Sequence, residues 1–384
     1  MGNELQEIVL STAMEFIQKK IAPIAGYIDE NEEFPLETVK EMGRNGLLGI
    51  PYPEKYDGAG LDYSVYTNVI REIAKVSAAV AMTVVSHTSL ACNPIFMFGS
   101  SKLKENYLKQ LIIGDKIGAF GLTEPNSGSD IASMETTAVE TDEFYILNGS
   151  KIFITNANVA DVFIVAAKTS PQKNGMGISI FLLERGMEGF STSGKSERKL
   201  GVRGSDTGEL LLDHVRVPKE NLIGRKNLGL EILHNTLVCA RLGMAAIAVG
   251  IAQGAQDCCL KYVKQRKQFN QLIYHFQSIK IILADMEVNI NAANLLLEKA
   301  VLMKEQGKSI TKESSEAKLF ASEMATKVTK DAIQLLGAYG YSRDFPLERF
   351  FRDAKITEIG DGTSEIHRLI IADEIIKKKE QMQT

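Results

Sequence analysis

The stretch between Pro218 and Pro346 contains no proline, and from Leu228 onward its apolar residues recur at helical spacing. Proline removes a backbone donor and breaks helices, so a long stretch without it permits long uninterrupted helices. Few other sequence features restrict the fold of a chain so strongly. The sequence therefore predicts a helical C-terminal domain over residues 225–384.

The two regions that precede this domain differ from each other in the spacing of their apolar residues. Residues 1–118 have helical spacing, interrupted by a Pro- and Gly-rich break at 51–60. Residues 119–224 have the pattern of strands, and Asn148-Gly149 between two β-rich runs predicts a hairpin because both residues tolerate positive φ. Further strands are expected at 162–167, 178–183 and 210–217. The predicted fold class is mixed α and β, with three regions packed as one body.

Composition excludes several classes of protein. The chain has 384 residues, a formal net charge of -4 and 24% charged residues, with both signs mixed and no basic face. It is long enough for two or three packed units, and nucleic-acid binding is not expected. The four cysteines and five histidines are dispersed, without CxxC or HExxH spacing. We therefore expect reduced cysteines and no metal site.

Neither a membrane span nor an export signal is predicted. The N-terminus enters an amphipathic pattern directly, without a charged region followed by an apolar core. The most apolar stretch, 76–98, contains serines, His87, Asn93 and Pro94, which a lipid-exposed helix would tolerate poorly. We expect a buried helix there and a cytoplasmic protein.

Common nucleotide-binding and hydrolase motifs are absent from the sequence. There is no G-x-G-x-x-G between a strand and a helix, no G-x-x-x-x-G-K-[ST] and no G-x-S-x-G. Neither a Rossmann site, a P-loop nor a serine-hydrolase elbow is therefore supported. Any nucleotide must be bound by another architecture.

An acidic residue stands between two glycines near the C-terminus, in Gly360-Asp361-Gly362, directly before a helical pattern that includes Ile366. A carboxylate on a flexible loop at a helix N-terminus is a candidate general base. Alternatively, Asp361 only caps the helix by accepting hydrogen bonds from its first N–H groups.

Arg241 is the only formal charge between Glu231 and Asp257. A charge in so apolar a helix should be paired, since unpaired burial is costly, unless the side chain extends to the surface. Small residues that would let another helix approach, in a bundle or an oligomer, are Gly243, Ala246, Gly250 and Gly254.

Several separated motifs follow in order along the chain. They are Phe120-Gly-Leu-Thr-Glu-Pro-Asn-Ser-Gly-Ser-Asp130, Asn148-Gly-Ser-Lys-Ile-Phe-Ile-Thr-Asn156, Lys199-Leu-Gly-Val-Arg-Gly-Ser-Asp-Thr207 with Val215-Arg-Val-Pro218, Arg266-Lys-Gln-Phe-Asn270, Gln334-Leu-Leu-Gly337 and the run 352–371. Together they resemble the acyl-CoA dehydrogenase family of flavoproteins, short- or branched-chain type, along essentially the whole chain. The resemblance implies a helical N-terminal domain, a middle β-domain and a C-terminal four-helix bundle. It also implies a homotetramer with non-covalent FAD, an acyl-CoA substrate and an electron-transfer flavoprotein as acceptor.

The resemblance also assigns site residues. Those expected at FAD are Phe120, Leu122, Thr123, Gly128, Ser129, Phe153, Ile154, Thr155, Arg266, Phe269, Gln277, Gln334, Gly337, Thr363 and Glu365. Those expected at the substrate are Ser129, Arg241, Gly360 and Gly362. The segment from Arg266 to Gln277 is expected to reach the pyrophosphate and adenine of a neighbouring subunit's FAD. Asp361 is expected to remove the α-proton of the acyl thioester while the β-hydrogen leaves as hydride to flavin N5, with Arg241 supporting the base loop.

The base motif departs from the family's usual Tyr-Glu-Gly-Thr, since it reads Gly360-Asp361-Gly362-Thr363. Aspartate is shorter than glutamate by about 1.5 Å, and a misplacement of about 1 Å costs on the order of a hundredfold in rate. The glycine in place of tyrosine leaves room for a wider acyl group. The base position that some family members use is Ala240 here, and Glu365 would serve only if the loop were rearranged.

Three functions fit these departures. The first is a dehydrogenase of a short, branched, cyclic or otherwise unusual acyl thioester. The second keeps the fold but acts on an acyl group on a carrier protein, or reduces an enoyl thioester. The third is a flavin-binding structural or electron-transfer subunit without dehydrogenase activity. The chain is short for the oxidase branch of the family.

Overall fold

The computed structural model describes residues 2–171 and 176–381. The N-terminal part is helical, as its apolar spacing predicts. Its α-helices are α1 Gly2–Phe16, α2 Ala25–Glu30, α3 Leu36–Arg44, α4 Tyr63–Ala74, α5 Ala78–Val85, α6 Asn93–Phe98, α7 Ser101–Leu103 and α8 Lys109–Ile112. A π-helical segment, Ser86–Cys92, continues α5 into α6. Such segments are frequent at functional sites.

A mixed sheet follows, formed by β1 Gly118–Gly121, β2 Thr137–Glu140, β3 Phe144–Thr155, β4 Val162–Lys168, β5 Ile178–Glu184, β6 Phe190–Thr192, β7 Thr207–Pro218 and β8 Leu222–Ile223. The strand order is β6-β7-β3-β2-β4-β5-β8, and β1 pairs parallel with β4. β4 and β5 are almost entirely buried, because one face packs on helical residues and the other on side chains of β3 and β7. The strands expected at 162–167, 178–183 and 210–217 are confirmed.

The hairpin predicted at Asn148-Gly149 is wrong. β3 runs through both residues, and its register against β7 shifts between Leu147 and Gly149. The Asn148 side chain accepts a hydrogen bond from the backbone N–H of His214 on β7. Gly149 has φ 146°, and a Cβ there would lie 2.5 Å from the Thr136 hydroxyl. The Asn-Gly pair therefore builds a β-bulge, for which glycine is equally suited.

The C-terminal part returns to helices. It contains α9 Gly229–Val263, the short strands β9 Lys267–Gln268 and β10 Gln271–Leu272, then α10 Gln277–Glu305, α11 Thr311–Leu336, α12 Ala338–Tyr341, α13 Leu347–Ile356 and α14 Ser364–Gln381. Helices α9, α10, α11 and α14 form the predicted bundle. The boundaries at residues 118 and 224 stay predictions.

The glycines of α9 pack against helices of the same chain. A Cβ on Gly250 would lie 2.3 Å from the carbonyl oxygen of Arg71 on α4, and one on Gly243 would lie 2.7 Å from the Val85 side chain on α5. Close approach of α9 to the N-terminal helices therefore requires residues without side chains at these positions. The N- and C-terminal helices share one continuous apolar core.

Two stretches of helix, Ala78–Phe98 and Gly229–Val263, are long and apolar enough to cross a membrane. Of their most apolar windows, 89% and 83% is buried inside the protein. Core helices of a folded domain have the same composition, so the burial explains their apolar character. The buried helix predicted at 76–98 is confirmed.

Candidate active site

A cavity of about 610 Å³ opens where the N-terminal helices, the sheet and the C-terminal helices meet. α5 and the π-helical segment form one wall, and α9 and the loop between α13 and α14 form another. Many of the residues expected from the sequence line it: Phe120, Leu122, Thr123, Gly128, Ser129, Phe153, Ile154, Thr155, Arg241, Gly360, Asp361, Gly362 and Thr363. The structure thus brings together residues from three separate parts of the chain.

Asp361 lies on the loop between α13 and α14, which we call the base loop (residues 359–363), and not at the cap of α14. The backbone N–H of Ile366 donates to the Thr363 hydroxyl, so Thr363 is the capping residue. Asp361 has φ 54° and Gly362 has φ 103°, both in the left-handed region. A non-glycine residue in that region is uncommon and occurs often at functional sites. The capping role considered for Asp361 is therefore wrong.

Two buried cations face this loop. Lys318 of α11 is fully buried, and its Nζ donates a hydrogen bond of 2.5 Å to the carbonyl oxygen of Gly362. Burial raises the pKa of Asp361, while the positive charges of Lys318 and Arg241 oppose that rise. Burial also lowers the pKa of Lys318, to about 8. The two cations therefore favour the ionised form of Asp361.

Arg241 of α9 does not extend to the surface, because only 6% of it is exposed. Its Nη1 donates a long hydrogen bond of 3.4 Å to the Ser315 hydroxyl, and its Nε has no partner within residues 2–171 and 176–381. No carboxylate in those ranges lies within 4.0 Å of it, so the expected direct pairing is not observed. Arg241 therefore presents unused donor capacity at the cavity wall.

His367 packs beneath the base loop. It is fully buried, and a Cβ on Gly362 would lie 3.1 Å from its Nε2. Burial, together with the charges of Lys318 and Arg241, lowers the pKa of His367 to about 3. The ring is therefore neutral at pH 7 and adds no charge beside Asp361. Gly362 needs to be glycine both for its φ and for this contact.

A buried ion pair connects the two loops expected at the flavin. Lys151 of β3 donates to Glu124 at 2.7 Å and to the carbonyl oxygen of Leu122 at 3.2 Å. Glu124 also accepts hydrogen bonds from the backbone N–H groups of Glu135 and Thr136. The loop after β1 is thereby held against β3.

Phe153 is unusual in the same strand. It has φ 58°, sits where β3 shifts register against β7, and leaves 63% of its surface exposed although it is aromatic. A bulge redirects a side chain out of the sheet. Phe153, Ile154 and Thr155 therefore form a ledge along the cavity.

Val202 contributes a second strained position to the cavity wall. Its φ of 46° is rare for a β-branched residue. The buried carboxylate of Asp353 accepts a hydrogen bond of 2.6 Å from the Val202 N–H, which holds the loop in this conformation. Burial raises the pKa of Asp353 to about 6. Strain at this wall is offset by a contact from α13.

Other expected site residues lie outside the cavity: Arg266, Phe269, Gln277, Gln334, Gly337 and Glu365. Phe269 is 87% exposed at the tip of the β9–β10 hairpin, and Arg266 stacks over the Tyr339 ring. Gly337, with φ 64°, ends α11. Glu365 is exposed on the first turn of α14. None of these residues reaches the cavity of its own chain.

Sequence reasoning missed Lys318, Met244 and Ser205, all of which lie in or against the cavity wall. Lys318 was overlooked because α11 contains many charged residues. A signal existed, since Ser314, Ala321 and Ala325 fall on the same helical face as Lys318 and are small and buried. A lysine on a face of small residues indicates a buried ammonium.

The cavity fits the flavin ring of FAD. Its apolar ledge at Phe153 and Ile154 suits a planar ring, and the hydroxyls of Thr123 and Thr155 line the same space. The Ser205 hydroxyl is buried at the cavity wall without a partner within the described residues, as expected for a group that meets a ligand.

Comparisons with known proteins agree with this geometry. The acyl-CoA dehydrogenase N-terminal, middle and C-terminal domain models match residues 3–115, 119–215 and 227–376. A short-chain specific acyl-CoA dehydrogenase of Clostridium acetobutylicum is 45% identical over 97% of this chain and 98% of its own length. A 3-(aryl)acrylate reductase of Clostridium sporogenes is 42% identical over 97% of this chain and 99% of its own. The structure of butyryl-CoA dehydrogenase from Megasphaera elsdenii is 42% identical, with a TM-score of 0.95, and the match covers 97% of this chain and 98% of that one.

Proposed function

Because this chain belongs to the acyl-CoA dehydrogenase family, we propose that Asp361 is the base that removes the α-proton of a short, branched or cyclic acyl-CoA thioester. The resemblance and the three-domain fold class predicted from the sequence are confirmed. The enzyme is an FAD-dependent oxidoreductase that acts on CH–CH bonds, of the short-chain type. When bound, FAD supplies the acceptor for the hydride.

The position of Asp361 is the observation that carries the proposal. Its side chain lines the cavity, and it makes no hydrogen bond or ion pair to any described residue. Lys318 and Arg241 oppose the rise that burial causes in the pKa of Asp361, and a carboxylate without other partners can accept a proton from a bound thioester.

The backbone of the base loop supports a second role. The N–H of Asp361 has no acceptor among the described residues, although the neighbouring Gly360 N–H donates to Ile356. A free N–H beside the base can donate to the thioester oxygen as enolate charge develops. Arg241 adds a positive charge to the same wall, which stabilises the negative charge of the enolate further.

Gly360 supports a wide acyl group. A Cβ at this position would lie 3.1 Å from the Met244 Cε, so even an alanine would press on that side chain. A tyrosine would have to enter the cavity. The space beside the base is lined by Met244, Leu237 and Ile366 and is apolar. A branched or cyclic acyl group matches it better than an anionic one.

A homotetramer, as the resemblance implies, would give the outlying residues a role. Phe269 is exposed at the tip of the β9–β10 hairpin, partly buried Arg266 directly precedes β9, and both would reach the FAD of a neighbouring subunit. An arginine fork suits a diphosphate. An electron-transfer flavoprotein as acceptor and a cytoplasmic location remain predictions with this assembly.

The other two functions considered for this chain are supported to different degrees. The relative named 3-(aryl)acrylate reductase favours the reductive direction on an enoyl thioester as the second candidate. A thioester on a carrier protein would use the same cavity. The third alternative, a subunit without catalysis, is disfavoured because the matched relatives are named as oxidoreductases.

The test is an anaerobic titration of the purified yellow protein with straight, branched and cyclic acyl-CoA thioesters, followed by bleaching of flavin absorbance. We expect one class to bleach the flavin and the Asp361→Asn variant to lose the response by at least about a thousandfold, as when a catalytic base is removed. Glu323→Gln, on the exposed face of α11, is the matched control and should respond as the wild type does. Full bleaching of Asp361→Asn would reject Asp361 as the base, and Glu365→Gln would then be tested.

A further inference from the structure

Lys318 is a buried cation without a carboxylate partner. Its exposed fraction is 0%, and within residues 2–171 and 176–381 no acidic group lies within 4.0 Å of its Nζ. Burial of an ammonium is costly unless it is hydrogen-bonded or near a compensating charge. The sole hydrogen bond that it makes to a described residue goes to the carbonyl oxygen of Gly362. A cation buried at this cost points to a role in the base loop.

The bonded carbonyl lies directly after the base. Asp361 and Gly362 both adopt left-handed φ, so the direction of the Asp361 side chain depends on how this turn is held. Lys318 holds the turn from the α11 side, because its ammonium fixes the Gly362 carbonyl. Gly360 has no side chain that could hold the turn from the other end.

We propose that Lys318 is a positioning residue for the base: it fixes the Gly362 carbonyl and places a positive charge behind Asp361, so that the carboxylate stays ionised and faces the cavity. This inference rests on the proposed role of Asp361 as the base. It assigns two separable contributions to one side chain, a hydrogen bond and a charge.

Other ionisable groups near the loop do not replace this charge. Arg241 of α9 contributes a second positive charge. His367 of α14 is neutral at pH 7. Glu358 accepts hydrogen bonds from Thr326 and Lys355, and Glu365 is exposed. Burial raises the pKa of Asp361, and among the charged groups near the loop Lys318 and Arg241 are the ones that oppose this rise.

Two variants separate the contributions. Lys318→Met keeps the length of the side chain and removes both the charge and the donor, whereas Lys318→Gln removes the charge and keeps a donor. Lys327→Met, at an exposed lysine of the same helix, is the control. For each variant we would measure FAD content, the pH profile of kcat/KM and hydrogen exchange of the peptide that covers residues 359–365.

Removal of a nearby positive charge raises the pKa of a carboxylate by about one unit or more. The acidic limb of the kcat/KM profile should therefore move to higher pH by at least about one unit in both Lys318 variants. It should not move in the control variant Lys327→Met. Exchange in the base loop should rise in Lys318→Met and stay close to wild type in Lys318→Gln. These two readouts would not follow from a general loss of stability.

An unchanged acidic limb in a folded, FAD-containing Lys318→Gln would overturn the inference, and so would unchanged loop exchange in Lys318→Met. If Lys318→Met does not fold, Lys318→Gln and its pH profile decide. The Asp361→Asn variant keeps the two proposals apart: if it is inactive while the Lys318 variants behave as wild type, the base assignment stands and the role of Lys318 is rejected. If Asp361→Asn is active, the base assignment itself is wrong.

Discussion

The ammonium of Lys151 and the carboxylate of Glu124 form an ion pair of 2.7 Å in which the side chains are 0% and 3% exposed. One partner lies on β3 and the other on the loop after β1, so the pair joins the two segments that line the flavin side of the cavity. Removal of one partner from such a pair leaves an uncompensated buried charge.

Glu124→Gln should therefore destabilise the protein by about 3 to 5 kcal/mol, the usual cost of breaking a buried pair. Glu124 also accepts hydrogen bonds from two backbone N–H groups of the loop that lines the flavin side of the cavity. The variant should therefore retain less FAD after purification. Urea unfolding and the flavin-to-protein absorbance ratio measure both effects. Glu220→Gln, which breaks an exposed pair with Lys102, should cost less than about 1 kcal/mol. Equal losses in the two variants would contradict the prediction.

His87 should make stability depend on acid pH. The Gly118 N–H donates to its Nδ1, so its Nε2 carries the proton and donates to the Leu111 carbonyl oxygen. Burial lowers the pKa of His87 to about 4. The unfolded chain binds a proton near pH 6.5, whereas the folded chain does not until about pH 4.

The contribution of His87 to stability is thus complete above pH 6.5 and is lost as the pH falls towards 4. Because each pKa unit corresponds to about 1.4 kcal/mol, the loss should reach roughly 3 kcal/mol. Thermal and urea unfolding between these pH values would detect it. His87→Gln should flatten the dependence, while His214→Gln, at an exposed site, should leave it unchanged. His367, whose pKa is also lowered, should add to the loss of stability as the pH falls.

Gly360→Tyr should narrow the acyl pocket. Gly360 lines the cavity beside Asp361, so a tyrosine ring there would take up space that is open to the acyl group. We expect kcat/KM for branched or cyclic thioesters to fall at least about tenfold relative to butyryl-CoA. Gly360→Ala, which Met244 can accommodate by moving, is the comparison and should change the ratio less. A ratio unaffected by the tyrosine would show that the acyl group lies elsewhere.

An exposed apolar stripe on α10 should mediate assembly. Ile281, Val288, Leu295 and Leu302 recur every seven residues and are 56% to 68% exposed. Apolar residues at this spacing on one helix face fit a helix of another copy. Val288→Glu combined with Leu295→Glu should produce smaller species in size exclusion with light scattering, and FAD should be lost with the assembly. Lys327→Glu is the control, and an unchanged mass in the double variant would contradict the prediction.

The order of helix, strand and helix could be read from the sequence because the two periods differ, and the burial of Arg241 followed from its apolar neighbours. The bulge at Gly149 could not be predicted from the sequence. A glycine with positive φ serves a two-residue turn and a bulge equally, and only pairing with the distant β7 decides between them. Local sequence carries no information about that partner.

The base at Asp361 could be located because its loop resembles a family motif, but its electrostatic surroundings could not. Lys318 lies 43 positions before Asp361, on a helix whose other charged residues are exposed or only partly buried. The cluster of Lys318, Arg241 and Asp361 exists only after α9, α11 and the base loop pack together. Tertiary packing thus determines which of many lysines acts on the base.

The walls of the cavity come from the N-terminal helices, the sheet and the C-terminal helices, so the cavity is complete only when all three parts of the chain have been synthesised and packed. The ledge at Phe153 and the base at Asp361 are made at different times during translation and meet only when the C-terminal helices dock. A chain with a finished sheet and an undocked bundle would have a place for the flavin ring but no base beside it. Removal of the α-proton therefore requires the docked C-terminal helices, so dehydrogenation of an acyl thioester should begin only after the whole chain has folded.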